Sequence, residues 1–331
     1  MSEYLYATAR IRALETQLIE ENTVDRILNA PSVEDSVKIL SETEYGVYFG
    51  ELDNPAEFER AINNHLHDIY KVVEDATGNP DFTRLYKLKH DIHNLKVLLK
   101  ARNTEAEEDL DILSPLGTME IDLLKRAVLE QNFSDLPPFM KKAVQEAGEH
   151  FELNQEPQYI NFILDKWLYD RLLEIADNLG EFAVEFVRTE IDLININTLL
   201  RFRKAEVTPS RFDDALVEGG FLSPSFFREY FNEPLDSFAG ALMVTRYEDI
   251  MDLGLQEWLD NRQAHHLERA LDNHFMSLAR QGIYAASGLK PILGYLQAKD
   301  NEAGLLRLLL VGKINDISEE NIRERLRDTY V

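Results

Sequence analysis

The chain contains no cysteine, which removes disulfides, thiolate nucleophiles and thiolate metal ligands, and fits a reducing cytoplasm. Positive charge is scarce: 35 Lys and Arg stand against 60 Asp and Glu, a net charge of −25. Such a field repels polyanions, and the bases are not clustered with exposed aromatics as a strand-binding groove requires, so a nucleic-acid partner is not expected. An acidic excess of this kind keeps a chain soluble, and an acidic face also suits a basic partner. The opening Met1-Ser2-Glu3-Tyr4-Leu5-Tyr6 has no apolar signal core. The longest strongly apolar stretch, 305–311, contains Arg307 and is far too short to cross a bilayer, so no transmembrane segment is expected. Runs of alternating β-branched residues and Asn-Gly or Asp-Gly hairpin turns are missing, which excludes a sheet protein.

What the sequence does contain is a repeat. Phe58-Glu59-Arg60-Ala61-Ile62-Asn63-Asn64-His65-Leu66 returns as Leu267-Glu268-Arg269-Ala270-Leu271-Asp272-Asn273-His274-Phe275, with five of nine letters identical. A second pattern starts at Asp91 and ends at Arg102, returns from Asp192 to Arg203, and returns more loosely from Glu302 to Lys313. Each copy begins with an acid, ends eleven residues later with a base, and is apolar at its fifth, eighth and ninth positions. The first pattern then has a middle copy at Ile163-Leu164-Asp165-Lys166-Trp167-Leu168. The two patterns are separated by 29 (62 to 91), 28 (164 to 192) and 31 (271 to 302) residues, and the second recurs after 101 (91 to 192) and 110 (192 to 302). Three units of about a hundred residues therefore fill the chain, with boundaries in the polar segments 103–109 and 204–210: 1–106, 107–207 and 208–331.

Both patterns have helical period. Ile92, Leu95, Leu98 and Leu99 share one face, as do Leu164, Trp167, Leu168, Arg171, Leu172 and Ile175. Breakers link the two helices of each unit: Gly78-Asn79-Pro80, Asn178-Leu179-Gly180 and Gly288-Leu289-Lys290-Pro291. Further helical stretches precede each pair at 33–41, at 120–131 with 139–147, and at 246–260. The expected fold is all-α, with a three-helix bundle per unit as the simplest packing that buries these faces. The acid at the start and base at the end of the second pattern suit the helix dipole. The repeated bases Arg102, Arg203 and Lys313 are also the candidate interface residues, offered to a partner surface.

Chemistry is hard to find. The glycines of Gly304 and Gly312-Lys313 are eight apart rather than the five of a phosphate-binding loop, and a leucine-rich helix lies between them. No Gly-x-Ser-x-Gly elbow is present. His65, His67, His90 and His93 lie on two helices expected to touch in the first unit, but Glu-x-x-His spacing is absent, and the other units do not repeat the set. His65 and His274 share one repeat position with Trp167, which marks it as space-filling. No catalytic residue, cofactor-binding residue or metal ligand is expected; scaffold or coupling work is.

The opening Tyr4-x-Tyr6-Ala7-x-Ala9-Arg10-Ile11-Arg12-Ala13-Leu14-Glu15 resembles the N-terminal signature of the C subunit of bacterial and archaeal V/A-type rotary ATPases, the counterpart of the d subunit in the eukaryotic vacuolar enzyme. His93-Asn94-Leu95-Lys96 resembles the Asn-Leu-Lys helix of that family. The end of the chain, from Lys290-Pro291-Ile292-Leu293-Gly294-Tyr295 through Lys299-x-x-Glu302, Leu305-x-Arg307 and Gly312-Lys313 to Ile322-Arg323-Glu324-Arg325-Leu326, resembles its closing motif. Where the family has Asn-Leu-Arg this chain has Gly304-Leu305-Leu306-Arg307, so the helix is expected there without the Asn contact. The resemblance implies three tandem three-helix bundles around a pseudo-threefold axis, shaped as a funnel. It implies a non-catalytic rotor component without cofactors, one copy per complex and monomeric alone, on the cytoplasmic face of a membrane. Its partners would be the central-stalk (shaft) subunits and the membrane proteolipid ring, in a complex that moves H⁺ or Na⁺ and makes or consumes ATP. The competing readings are a helical adaptor unrelated to rotary ATPases, for which a hundred-residue period is too long, and a carboxylate–histidine metalloenzyme.

Overall fold

A computed structural model describes residues 4–104, 110–261 and 263–331. Among these residues all regular structure is helical. In chain order the helices are α1 (Leu5–Glu15), α2 (Glu21–Leu28), α3 (Val33–Leu40), α4 (Gly46–Gly50), α5 (Phe58–Thr77), α6 (Asp81–Thr104), α7 (Ile121–Leu129), α8 (Pro138–Asn154) and α9 (Gln158–Leu179). They continue as α10 (Glu181–Lys204), α11 (Pro209–Ala215), α12 (Pro224–Phe231), α13 (Leu235–Leu242), α14 (Gln256–Asn261), α15 (Ala264–Tyr284), α16 (Leu289–Ile314) and α17 (Glu319–Arg323).

The helix boundaries follow local chemistry. Gly78 ends α5 in the left-handed conformation, φ 64°, that glycine adopts without steric cost. Ser32, Ser223 and Ser318 accept backbone N–H bonds at the starts of α3, α12 and α17. The expected stretch 33–41 is α3, 120–131 is α7 and 139–147 lies within α8. The stretch 246–260 is irregular: a wide turn, Met251–Leu255, is broken by Gly254 at φ 138° before α14 begins. The short helices α1, α2, α4, α11, α12 and α13 lie outside the expected stretches.

The chain forms two compact units, Met1–Phe82 with Leu235–Val331, and Thr83–Pro234. In the first, α16 is buried on most of its circumference, from Pro291 to Gly312, and packs against α1, α3, α5, α15 and α17. In the second, α9 packs between α8 and α10, and α11 and α12 pack on α10. The α9–α10 and α15–α16 pairs associate as their sequences suggest, whereas α5 and α6 fall in different units, divided at Phe82. The repeat's apolar positions are core: Leu95, Ile196 and Leu306, then Leu98, Leu199 and Leu309, then Leu99, Leu200 and Leu310 are all buried. The three-unit boundary at 106/107 lies outside the described residues, and the one at 207/208 falls between α10 and α11.

Candidate functional site

The repeated acids are not at helix starts. Asp91, Asp192 and Glu302 sit in the middle of α6, α10 and α16 and are buried, so the helix dipole does not account for them. Each carboxylate instead accepts backbone N–H groups of a loop laid across its helix. Asp91 takes Thr118 N–H at 2.9 Å, Met119 N–H at 3.1 Å and the Thr118 hydroxyl at 2.5 Å. Asp192 takes Phe221 N–H at 2.8 Å and Leu222 N–H at 3.1 Å. Glu302 takes Ile19 N–H at 2.6 Å. Burial pushes the Asp91 carboxyl up, and its hydrogen bonds from Thr118 and Met119 act against that push.

The residue three positions on completes the first two of these joints. The Asn94 side chain donates to the Ser114 carbonyl at 2.8 Å and accepts its N–H at 2.7 Å. Asn195 does the same to Val217, at 2.8 and 3.0 Å. A side-chain amide thus pairs with one residue's backbone as a neighbouring strand would. In α16 this position is Leu305, which has no polar group to offer. Glycine makes room for the short aspartates: a Cβ on Gly117 or Gly220 would overlap the carboxylate of Asp91 or Asp192. At the third joint Leu18 precedes Ile19 where the other two have glycine before their donors, and the acid is the longer Glu302.

The repeated bases close the same joints from the last turn of each long helix. Arg102 donates to the Val128 carbonyl at 3.2 Å, at the end of α7. Arg203 donates to the carbonyls of Tyr230 at 3.3 Å and Glu233 at 2.5 Å, at the end of α12. Lys313 donates to the carbonyls of Leu28 at 2.5 Å and Ala30 at 2.6 Å, at the end of α2. In each case a cation meets the negative end of a short helix. The candidate interface residues thus hold backbone within the chain, and each is half-buried.

The pattern runs in chain order. α6 holds the loop and short helix that follow it, α10 holds those that follow it, and α16 holds 19–30 near the other end of the sequence. Acid and base alone could have suggested the first two pairings, because the loop residues lie 27 to 30 positions after Asp91 and Asp192. The third partner sits 283 residues away, and no local spacing points to it.

Around Glu302 the joint is ionic. The Lys299 ammonium is fully buried; it bonds Glu302 at 2.6 Å and also Glu44. The Tyr45 hydroxyl donates to Glu302 at 2.8 Å, and its ring lies 4.2 Å from that of His65. Ligand atoms of Glu44, His65 and Glu302 lie within 4.8 Å of one another. Lys299 already supplies a cation to both carboxylates, so this geometry is satisfied as an ion triad. Burial lowers the Lys299 pKa and lowers that of His65 to about 4, keeping the imidazole neutral. His90 pairs with Ser114 at 2.9 Å and His93 with the Ile112 carbonyl at 3.0 Å in one unit, while His65 packs on Tyr45 in the other.

The recurrent His position has a common setting that a further repeated mark in the sequence signals. Leu40-x-x-Thr43-x-Tyr45 returns as Leu242-x-x-Thr245-x-Tyr247. Both threonines donate to the leucine carbonyl at 2.7 Å and accept the tyrosine N–H at 3.2 Å. The turn seats Tyr45 against His65 and Tyr247 against His274. In the middle copy Trp167 Nε1 donates to Glu146 at 2.8 Å.

Two surface grooves offer room for a ligand but not the chemistry. One of about 510 Å³ is rimmed by His265, Arg269, Arg325 and Arg327, but Glu257 lies 3.3 Å from Arg269, Asp272 lies 2.7 Å from Arg327, and Glu268 shares the rim. The other, about 370 Å³, is lined by Asp170, Asp213, Asp214 and Glu218 beside Lys166 and Arg228. Neither gathers a nucleophile with a base. No described helix is long and apolar enough to cross a membrane.

Repeated helix joints built from packing and capping residues define a helical repeat protein with a structural role rather than a catalytic domain. A family profile described as ATP synthase (C/AC39) subunit matches residues 7–325. The chain is 26% identical to the C subunit of the V-type sodium ATPase of Enterococcus hirae, over 99% of both chains. It is 24% identical to the C subunit of the A-type ATP synthase of Methanocaldococcus jannaschii, over 98% of this chain and 86% of that one, and 26% identical to that of Methanosarcina acetivorans, over 98% and 93%. The chain belongs to the ATP synthase (C/AC39) subunit family, and is a structural, non-catalytic component of a V/A-type rotary ATPase.

Proposed function

We propose that this protein is the mechanical coupler between the central shaft and the membrane proteolipid ring. ATP hydrolysis elsewhere turns the shaft; the coupler passes that rotation to the ring, which moves H⁺ or Na⁺, or runs in reverse during synthesis. In this reading three repeats, 1–106, 107–207 and 208–331, stand about a pseudo-threefold axis as a funnel that receives the shaft's foot and caps the ring. One copy sits on the cytoplasmic face of the membrane.

The observation that carries the reading is the set of three joints at matching places on α6, α10 and α16. Two link each repeat to the next, and the third links the last repeat's α16 to 19–30 in the first. Joints that run first to second, second to third and third to first are what a closed threefold collar needs. A collar that transmits torque must also be stiff, and close-packed leucine faces behind every joint resist bending. Arg102, Arg203 and Lys313 serve the partner surface by fixing the short helices they cap, with their half-buried stems at its edge.

Reconstitution tests this. Complexes assembled without the coupler should hydrolyse ATP yet fail to pump ions into vesicles, and adding the purified protein should restore pumping. Full pumping without it would refute coupling. The tagged protein should also bring shaft and ring subunits with it from native membranes.

A further inference from the structure

The three joints differ in what locks them. Those on α6 and α10 are closed by neutral amide pairs, Asn94 with Ser114 and Asn195 with Val217. The joint on α16 has Leu305 at that position and a buried charge triad instead, Lys299 between Glu44 and Glu302. Tyr45 and Ile19, both from the segment held against α16, spend their hydrogen bonds on the same Glu302 carboxylate. Helices α6 and α10 also hold loops that follow them within about thirty residues, whereas Ile19 and Glu302 are 283 residues apart. Segment 18–45 lies between α1 and α5, which both pack on α16, so it opens as one long loop held at its two ends.

We propose that the contact of segment 18–45 with α16 is a separable latch, opening independently of the other two joints and locked by the Lys299–Glu44–Glu302 triad. With Lys299 in place both carboxylates are matched; without it two carboxylates share a site that water barely reaches, which weakens the hold on the segment that carries Glu44. The latch stands on this geometry alone. Its use, giving a closed collar one place to open around a shaft, rests on the coupling reading.

Amide hydrogen exchange on the isolated protein tests it, with the two other joints as internal controls. In the wild type, amides of 18–45 held against α16 should exchange at least about tenfold faster than those of 114–129 and 217–231, because they open locally. Lys299→Met should speed exchange in 18–45 by about a hundredfold or more and leave the other two segments unchanged, while Lys299→Arg, which keeps the charge, should retain most of the protection. Equal protection of the three segments in the wild type, or acceleration of all three together in Lys299→Met, would overturn the latch. The wild-type comparison decides the matter even if Lys299→Met does not fold. It does not depend on ion pumping, so its failure and that of the coupling reading are distinguishable.

Discussion

His65 should make this protein's stability fall as solutions become mildly acidic. The side chain is 3% exposed, neither ring nitrogen has a hydrogen-bond partner, and the ring rests on Tyr45. The nearest carboxylate oxygen, on Glu44, stands 3.5 Å from Nε2 and is already held by Lys299. Desolvation holds the His65 pKa near 4, with the nearby Glu302 and Asp68 charges only partly offsetting the effect. The unfolded chain carries an ordinary histidine that titrates near 6.5. Above pH 6.5 both states are neutral, so stability does not depend on this group. Between about 6.5 and 4 the unfolded state binds a proton that the folded state refuses, so stability is lost as pH falls, and the loss levels off below about 4. At 1.36 kcal/mol per pH unit of separation, the full effect is about 3 kcal/mol. His65→Phe keeps an aromatic ring on Tyr45 and removes the titration. Urea unfolding of both proteins at several pH values from about 7.5 to about 4.5 gives the difference directly, with carboxylate titrations common to both and cancelling. The wild type should lose ground on the variant by about one proton's worth of slope below pH 6.5. A flat difference across that range would refute the buried neutral imidazole.

Three further outcomes follow from the joints. Gly220→Ala should destabilise by about 1–3 kcal/mol, because its methyl group meets the Asp192 carboxylate, and Gly117→Ala should do likewise against Asp91; denaturant midpoints measure both. Asn195→Ala leaves the buried N–H and carbonyl of Val217 unpaired and should lower unfolding free energy by about 2–4 kcal/mol in the same assay, while Leu305→Ala removes only packing. Arg203→Ala and Lys313→Ala should each cost about 1 kcal/mol through loss of a helix cap, read as a lower thermal midpoint.

Much of the architecture was legible because it is written in local periods. The long helices α5, α6, α9, α10, α15 and α16 recur at similar spacing, and the fifth, eighth and ninth places of the second pattern are buried in every copy. The bases lie at helix ends as the dipole argument expects, in the last turns of α6, α10 and α16. The acids lie about half a helix away from where that argument puts them, because spacing within a helix does not reveal where the helix begins. Asp91 comes ten residues after the start of α6, since Asp81-Phe82-Thr83 continues the same helix toward its N-terminus. The short helices α2 and α12 are harder still to read, since a helix of two turns is stabilised mainly by what it packs on.

The sequence by itself determined helix type, the recurrence of the two patterns and the identity of the recurring acid and base, because each depends on residues close together in the chain. Only the tertiary structure decided what those residues hold. Carboxylates buried in mid-helix must find N–H donors, and which backbone supplies them depends on how the chain folds back rather than on neighbouring letters. For Glu302 that donor is Ile19, from the far end of the sequence. Lys299 is buried as the counter-ion of Glu44 and Glu302 for the same reason: a charge removed from water is matched by whatever opposite charge the fold brings to it.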